Sequence, residues 1–293
     1  MLNEINLVFN IFMKVTVGIG FIINAIMFLC LIICPLSSRY ANIVLQNQAF
    51  IDSMVCIQLL LVMILPSNIS SSNLLIGQIF CSIWNGQVIF WWFVLAGVFN
   101  LVFTAFDRYW AVITPMYYND NLNRKILSTF FIVYFVSGIL TFCSYSEILM
   151  VNETCSNTAV QINEHSLYKI YSIFWFFWIF IIPASIMMYL YGKIIVKLND
   201  DRKIVIKILT KTMVVMAVVF FLTIPFDAIY YILGNFNLVE YKYGSQLQVF
   251  SIFLTTLNSC INPVIFFILV KNIHIKFSDL CKSCVTRNHK IVN

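Results

Sequence analysis

Charged residues are scarce in this chain. Asp, Glu, Lys and Arg make up only 10% of its 293 residues, whereas about 25% is usual in soluble proteins. Apolar and aromatic residues reach 61%, and so few charges cannot cover a water-soluble particle of this size, because uncovered apolar surface drives association. The composition therefore excludes a soluble enzyme and a disordered chain, and it indicates a membrane protein.

Histidines and paired cysteines are also few. The three histidines lie outside the apolar segments, and Cys281 and Cys284 form the one Cys-x-x-Cys pair. A zinc domain and a haem or metal site within the membrane are therefore not expected. We expect neither enzyme activity nor a nucleic-acid partner, and no cofactor apart from an ion discussed below.

Seven long apolar windows are present. About 18 to 20 apolar residues in a helix span the hydrocarbon layer of a bilayer, and these windows lack the alternation of barrel strands. The prediction is an all-α membrane protein, a seven-transmembrane helix bundle forming one domain over residues 1–293. The predicted spans are 10–34, 42–66, 79–110, 126–149, 169–195, 206–233 and 246–270.

The basic residues predict the orientation. Only Lys14, Lys169 and Lys242 lie on one side of the seven spans, and the other 15 of the 18 Lys and Arg residues lie on the opposite side. The positive-inside rule makes that second side cytoplasmic, so we expect an extracellular amino terminus at the plasma membrane and no cleavable signal peptide. The sequons at Asn68 and Asn152 fall in predicted outer loops, which predicts glycosylation.

Four cysteines lie at the start of a span or outside the spans, and they differ in their compartment. Cys81 and Cys155 lie on the predicted outer side, where two lone cysteines are expected to form a disulfide that ties the loop after the fourth span to the third span. Cys281 and Cys284 lie at the end of a predicted short amphipathic helix, 272–283, on the cytoplasmic membrane surface, with Cys284 just beyond its last residue. We hypothesise S-acylation of one or both of these two cysteines by membrane lipid chains.

Polar side chains within the spans are candidate functional groups. A carboxylate in the membrane is costly and marks a site by default, and Asp52 lies in the second span. Asn24, Asn258, Ser259 and Asn262 offer amides and hydroxyls at a similar depth. Alternatively, Asp52 is a protonated acid that these groups hold as a structural element.

Prolines interrupt the last three spans. Pro183, Pro225 and Pro263 each remove a backbone donor and bend the helix. Such bends provide hinges and cavities for a bundle that switches between two arrangements, although static kinks serve packing as well.

The inner end of the third span carries Asp107, Arg108 and Tyr109. This run resembles the Asp-Arg-Tyr signature of rhodopsin-like G-protein-coupled receptors. The tripeptide alone is a weak signal, but it stands in order with further marks of the family across nearly the whole chain. These are Asn47, Ala49, Asp52, Pro115, Tyr191, Asn258, Ser259, Asn262 and Pro263. The resemblance implies a receptor whose outer half binds an agonist and whose inner half opens toward a heterotrimeric G protein.

Several positions depart from the family pattern. Phe266 replaces the tyrosine of Asn-Pro-x-x-Tyr, Thr223 replaces the tryptophan of Cys-Trp-x-Pro, and the fourth span has no tryptophan. Gly97 stands where the third span often supplies a serine. These departures indicate a divergent, orphan-type member of the family.

The resemblance also implies a switch. Asp107 would hold Arg108 at rest, and an outward swing of the sixth span about Pro225 would free the guanidinium for the G protein. An acid that many members carry at the start of the sixth helix is replaced by Val205. Alternatively, Asp107 and Arg108 are only an interfacial pair. The remaining switch residues by resemblance are Tyr109, Tyr191, Asn262, Pro263 and Phe266.

The resemblance further suggests an allosteric sodium ion at Asp52. Asn258, Ser259 and Asn262 would supply further oxygen donors. Gly97 removes one ligand that the family often provides.

The ligand site is expected in the outer half of the bundle. Phe90 stands where amine receptors carry an aspartate, and Thr256 stands where opsins carry a lysine, which disfavours both classes. Asp227 is a candidate partner for a cationic ligand; alternatively it is a protonated or water-bridged acid. The agonist is expected to be a small molecule or short peptide, and the candidate pocket residues are Gln87, Phe90, Asp227, Tyr230, Tyr231 and Gln248.

A secondary transporter is the alternative function. Asp52 and Asp227 would then bind coupling ions. Such a protein would require internal repeats and broken helices in matching halves, and the sequence shows neither.

Overall fold

The computed structural model describes residues 2–33, 35–36, 38–64, 77, 83, 87–118, 120–142, 148–151, 154–157, 165–197, 204–241 and 245–269. Within these residues, seven helices are long and apolar enough to cross a membrane. The predicted all-α seven-helix fold is therefore confirmed. Five of the helices are α1 (Leu2–Ile33), α2 (Arg39–Ile64), α3 (Val88–Ile113), α6 (Ile204–Asn235) and α7 (Gln246–Leu269).

The other two helices each contain a π-helical segment. α4 comprises Leu122–Phe130, the π segment Phe131–Val136 and Ser137–Phe142. α5 comprises His165–Phe176, the π segment Phe177–Ile181 and Ile182–Lys197. A π turn is wider than an α turn and shifts the side chains that follow it around the helix. Both helices therefore change their facing direction near mid-membrane.

α3 is the central helix of the bundle. It packs against α2, α4, α5 and α6, and 72% of its most apolar window is buried, the largest share among the seven. Two polar residues, Asn100 and Thr104, are buried along it together with Asp107 and Arg108. This position makes α3 the element on which the inner site is built. We call the end of the bundle near Arg108 the inner end and the opposite end the outer end.

α1 and α7 pack closely because Gly20 has no side chain. A Cβ at Gly20 would lie 2.4 Å from the sulfur of Cys260, so any other residue would push the helices apart. One turn farther, the side-chain amide of Asn24 donates to the carbonyls of Gly20 (2.9 Å) and Ser259 (3.0 Å). The close approach therefore brings Asn24 next to the polar residues of α7.

The helices differ most from the predicted spans at three ends. α1 begins at Leu2 rather than at residue 10. α3 begins at Val88, not at residue 79, because Gln87 has a left-handed backbone with φ of 52° and cannot continue a helix. The fourth span was predicted to reach residue 149, but β1 (Ile148–Val151) pairs there with β2 (Thr154–Asn157). Hydropathy follows side-chain composition, so it does not detect a change in backbone conformation.

Several predictions fall on residues outside the described ranges. These residues are Asn68, Cys81, Asn152, Cys281, Cys284 and the segment 272–283. Cys155 lies in β2, opposite Met150. The disulfide, the glycosylation and the S-acylation therefore stay predictions.

Candidate functional site

The inner end of α3 holds a buried ion pair. The Nε of Arg108 donates to Oδ2 of Asp107 at 2.7 Å, and Nη2 of the same guanidinium contacts the same oxygen. Asp107 is 0% exposed and Arg108 is 2% exposed, so the guanidinium faces the bundle and not the lipid. Tyr109 is partly buried against the core. A buried guanidinium left without its carboxylate would be costly, so the pair belongs to the packed arrangement seen here.

Tyr118 holds the other oxygen of Asp107. A 3-10 turn, Pro115–Tyr117, follows α3 and leads the chain back. The hydroxyl of Tyr118 donates to Oδ1 of Asp107 at 2.5 Å and also contacts the hydroxyl of Ser38, before α2. Burial, followed by the charge of Asp107, raises the pKa of Tyr118 above its usual value, so the phenol keeps the proton that it donates. Sequence reasoning missed Tyr118; a tyrosine closely following Pro115 was the available signal.

Lys125 fixes the loop that carries Tyr118. Its Nζ donates to the carbonyls of Tyr117 (2.9 Å) and Tyr118 (3.1 Å) and lies 4.7 Å from the ring centre of Trp110. The loop is therefore tied to α4 and α3 together. This geometry holds the Tyr118 phenol in place against Asp107.

The remaining predicted switch residues are spread over three helices. Tyr191 of α5 is buried, and it lies close enough to Asp107 and Arg108 to interact electrostatically with both. Pro225 and Pro263 lie inside α6 and α7, and α6 has no acid in its first turn. Phe266 is buried, with its ring centre 6.1 Å from that of Phe267. Tyr191 is thus near the ion pair, whereas Pro225 lies on α6 and Pro263 and Phe266 lie on α7.

A second polar cluster surrounds Asp52, which is 1% exposed. Its Oδ1 accepts from Nε2 of Gln48 at 3.1 Å, and its Oδ2 accepts from Nδ2 of Asn262 at 2.9 Å. The Ser259 hydroxyl also interacts with this carboxylate. A Cβ at Gly97 would lie 3.9 Å from Oδ1 of Asp52. The structure therefore brings Asp52, Ser259, Asn262 and Gly97 together.

Gln48 links Asp52 to α3. Its Oε1 accepts from Nδ2 of Asn100 at 2.8 Å, and the same amide nitrogen donates to the carbonyl of Val44 at 2.9 Å. Oδ1 of Asn100 in turn accepts from Nδ2 of Asn47 at 2.9 Å. We call Asn47, Gln48 and Asn100 the amide ladder. Sequence reasoning missed Gln48 and Asn100, although the glutamine between Asn47 and Ala49, where the family pattern has leucine, was a visible signal.

Tyr134 ends the amide ladder at α4. Its hydroxyl donates to Oδ1 of Asn47 at 2.5 Å. The backbone carbonyl of Tyr134 accepts from the indole nitrogen of Trp92 at 3.0 Å, and Ser137 accepts from the same nitrogen at 3.1 Å. Tyr134 thus joins α4 to α2 and α3. The fourth span itself contains no tryptophan.

Oxygen atoms without partners lie in two of the residues predicted to hold sodium, Asn258 and Asn262, and in Asn24. In the part of the chain that the structure describes, Oδ1 of Asn24, Asn258 and Asn262 are buried and have no hydrogen-bond partner. Together with the Asp52 carboxylate they are oxygen donors of the kind that alkali cations take in membrane proteins. Gln48 places an N–H against Oδ1 of Asp52 and closes that side. Asn262 places an N–H against Oδ2 in the same way. The donor set therefore fits a small cation by its chemistry, with the Asn262 amide turned so that its oxygen faces the ion.

Asp227 joins α6 to α7 at the outer end. Its Oδ1 accepts from the Ser251 hydroxyl at 2.5 Å, and both residues are buried. Gln248, one turn before Ser251, is buried as well. Tyr230 donates to the carbonyl of Glu240 at 3.1 Å. Asp227 and Tyr230 therefore lie in the last turns of α6, and Gln248 lies in the first turn of α7.

The candidates on α3 belong to an aromatic cluster. Phe90 is 1% exposed, and its ring centre lies 5.1 Å from that of Trp91. Trp91 meets Trp175 of α5 edge-on at 6.0 Å.

The two other candidate pocket residues lie apart from this cluster. Gln87 precedes α3 with its left-handed backbone. Tyr231 packs at 5.6 Å on Tyr241, close to α7. The candidate pocket residues thus comprise one buried acid, on α6, and an aromatic group at α3 and α5.

Within the residues that the structure describes, seven membrane-length helices and a buried arginine at the inner end of the third define the class, a seven-helix membrane protein. A family model described as "7 transmembrane receptor (rhodopsin family)" matches residues 21–266, and the chain belongs to this family. The chain is also similar to the "High-affinity lysophosphatidic acid receptor" of Xenopus laevis, with 23% identity over 96% of this chain and 83% of that protein. It is a multi-pass membrane receptor and not an enzyme.

Proposed function

We propose that this receptor binds an extracellular small-molecule or short-peptide agonist and activates a heterotrimeric G protein through Arg108. Family membership supports the class of protein. The observation that carries the mechanism is the buried Asp107–Arg108 pair, in which Tyr118 engages the second oxygen of the carboxylate. The proposed location is the plasma membrane, with the amino terminus outside.

The switch that we propose is a change in helix packing. α6 begins without an acid, so in the described residues the known restraint on Arg108 comes from Asp107 and, through it, from Tyr118. Agonist binding at the outer end favours an arrangement in which α6 swings about Pro225 and Arg108 becomes accessible. A ligand shifts this equilibrium by the difference in its affinity for the two arrangements.

The agonist proposed here carries a positive group. Asp227 is a buried acid at the outer end, and its one described partner is the neutral hydroxyl of Ser251. The name of the Xenopus laevis relative indicates an anionic lipid ligand, whose phosphate a carboxylate in this position would repel. Asp227 therefore favours a cationic ligand group for this chain, and an anionic lipid is the competing outcome.

An allosteric cation at Asp52 is part of this proposal. The support is the carboxylate with the unpartnered oxygens of Asn258 and Asn262 and the nearby Ser259. A cation bound there would neutralise the buried charge of Asp52 and hold α2 against α7. Such an ion would stabilise the resting arrangement.

Nucleotide exchange on a co-expressed heterotrimeric G protein tests the central proposal. Arg108→Ala is expected to abolish agonist-driven exchange at equal surface expression, whereas Arg124→Ala, at an exposed position of α4, is expected to leave it intact. Full signalling by Arg108→Ala would overturn the mechanism. Radiotracer flux without nucleotide exchange would favour the transporter alternative. That alternative requires broken helices, whereas α6 and α7 continue as helices through Pro225 and Pro263.

A further inference from the structure

A groove opens on the side of the bundle between α3, α4 and α5. It has a volume of about 220 Å³ and lies within the membrane-length parts of these helices. Every side chain that lines it is apolar or aromatic. Its lining includes Phe106 of α3, Ile132 of α4, and Trp178, Pro183 and Ile186 of α5.

The π segments of α4 and α5 explain why this groove exists. Among the described residues, α4 and α5 each pack along α3 but make few contacts with one another. Ile132 lies in the π segment of α4, and Trp178 lies in that of α5. A wider turn in each helix, followed in α5 by Pro183, prevents the regular ridge-and-groove packing that would close the gap.

The groove opens toward the bilayer, because its lining residue Ile132 is 37% exposed. Exposed aromatic side chains also stand close in sequence to the lining residues of α4 and α5. Phe131 and Phe135 of α4 are both 55% exposed, and Phe174 and Phe177 of α5 are 43% and 47% exposed. At this depth an exposed aromatic side chain contacts lipid hydrocarbon. An apolar cavity offers water no hydrogen-bond partners and stays dry, so lipid is the molecule available to enter it.

We propose that this groove is a specific binding site for one acyl chain of a membrane phospholipid. Its volume is below the roughly 300 Å³ at which pockets for drug-sized ligands begin, which suits a linear chain segment. Since lipid tails are as apolar as the groove, transfer from water does not drive this binding. The favourable free energy of binding comes from van der Waals contacts between the chain and the lining residues, which are absent while the groove is unfilled.

The groove lies next to the switch. Phe106 is two residues before Arg108, and Ile186 is five residues before Tyr191 on α5. A chain bound here would pack against both helices while the Asp107–Arg108 pair is intact. Regulation of that pair by lipid therefore rests on the proposed function, whereas the binding of the chain does not.

Photo-crosslinking in lipid nanodiscs tests the proposal. The full chain would be reconstituted with a phosphatidylcholine carrying a diazirine on one acyl chain, irradiated, and mapped by peptide mass spectrometry. The expected label is concentrated on the groove residues, including Phe106 and Ile186. Label spread evenly over all bilayer-facing helices would show only the ordinary lipid layer and would overturn the site.

A matched pair of variants on α4 sharpens this test. Ile132→Trp fills the groove and is expected to remove the concentrated label. Ile139→Trp, two helical turns farther at a position that is 52% exposed, is expected to leave it unchanged. Equal labelling of the groove in both variants would overturn the proposal.

Two further outcomes are distinguishable. A diazirine-bearing sterol that labels the groove where the phospholipid does not would replace the acyl chain as the occupant and overturn our assignment. Labelling needs no G protein, so a failed labelling experiment leaves the Arg108 mechanism standing. Conversely, a signalling Arg108→Ala variant overturns that mechanism with the groove intact.

Discussion

The phenol of Tyr118 donates a hydrogen bond of 2.5 Å to the carboxylate of Asp107. Asp107 lies inside α3, whereas Tyr118 follows the 3-10 turn after that helix. The carboxylate thereby meets the phenol on one oxygen and Arg108 on the other. Tyr118 thus takes part in holding the arginine at rest.

Tyr118→Phe is expected to raise basal nucleotide exchange on the G protein. A hydrogen bond to a charged group contributes about 1.5 to 3 kcal/mol, and about 1.4 kcal/mol changes an equilibrium constant tenfold. We expect a rise of roughly tenfold in the population of the active arrangement. Basal exchange at matched surface expression measures it.

Tyr117→Phe is the control for this experiment. Tyr117 is 66% exposed, and Lys125 contacts its backbone carbonyl, so loss of the hydroxyl should not change basal exchange. Equal basal activity in Tyr118→Phe and the wild type would show that the phenol does not restrain the switch.

Tyr134→Phe is expected to destabilise the receptor. The substitution leaves Oδ1 of Asn47 buried without its donor, which costs about 1 to 3 kcal/mol. The measurement is the Tm of the purified receptor in detergent. Tyr189→Phe, at a residue that is 61% exposed, serves as the control. An unchanged Tm in Tyr134→Phe would contradict a stabilising role for the hydrogen bond between Tyr134 and the amide ladder.

Gln48→Leu is expected to increase the sensitivity of agonist affinity to sodium. The wild-type amide occupies Oδ1 of Asp52, and its removal frees that oxygen for a cation. Radioligand competition at varied sodium concentration measures the effect, with Gln46→Leu as the control, because Gln46 bonds the carbonyl of Leu31 instead. An agonist affinity indifferent to sodium in wild type and in Gln48→Leu would remove the cation from the proposal.

Asp227→Asn is expected to lower the potency of a cationic agonist. The amide keeps an oxygen for the Ser251 hydroxyl but removes the charge, so the fold should be little affected. Dose–response curves against Glu240→Gln, an exposed acid, give the comparison. Unchanged potency would clear Asp227 of ligand binding, and higher potency for an anionic lipid would favour the competing ligand class.

Cys81 and Cys155 are expected to be linked covalently. Peptide mapping without reducing agent should recover one peptide pair that contains both cysteines, and reduction should separate it. Recovery of both cysteines as free thiols would contradict the predicted disulfide.

The residues that sequence reasoning found and missed differ in one respect. Asp107, Arg108 and Asp52 were found because charge is rare in an apolar helix and each stands in a recognisable pattern. Tyr118 and Tyr134 were missed because tyrosine is common in membrane proteins and its function depends on its partner. Gln48 was visible as a departure from the family pattern, but nothing in the sequence indicated that its amide would bridge Asp52 and Asn100.

The amino-acid sequence by itself determined the membrane environment, the number of helices and the family, since a bilayer admits only long apolar helices and leaves charges where function retains them. The tertiary structure alone decided which polar groups meet. Helix rotation and the π segments set those partners, because a turn of a few tens of degrees moves a hydroxyl from lipid to the bundle interior. The apolar groove beside α3 likewise follows from three helices that fail to close, which no one helix encodes.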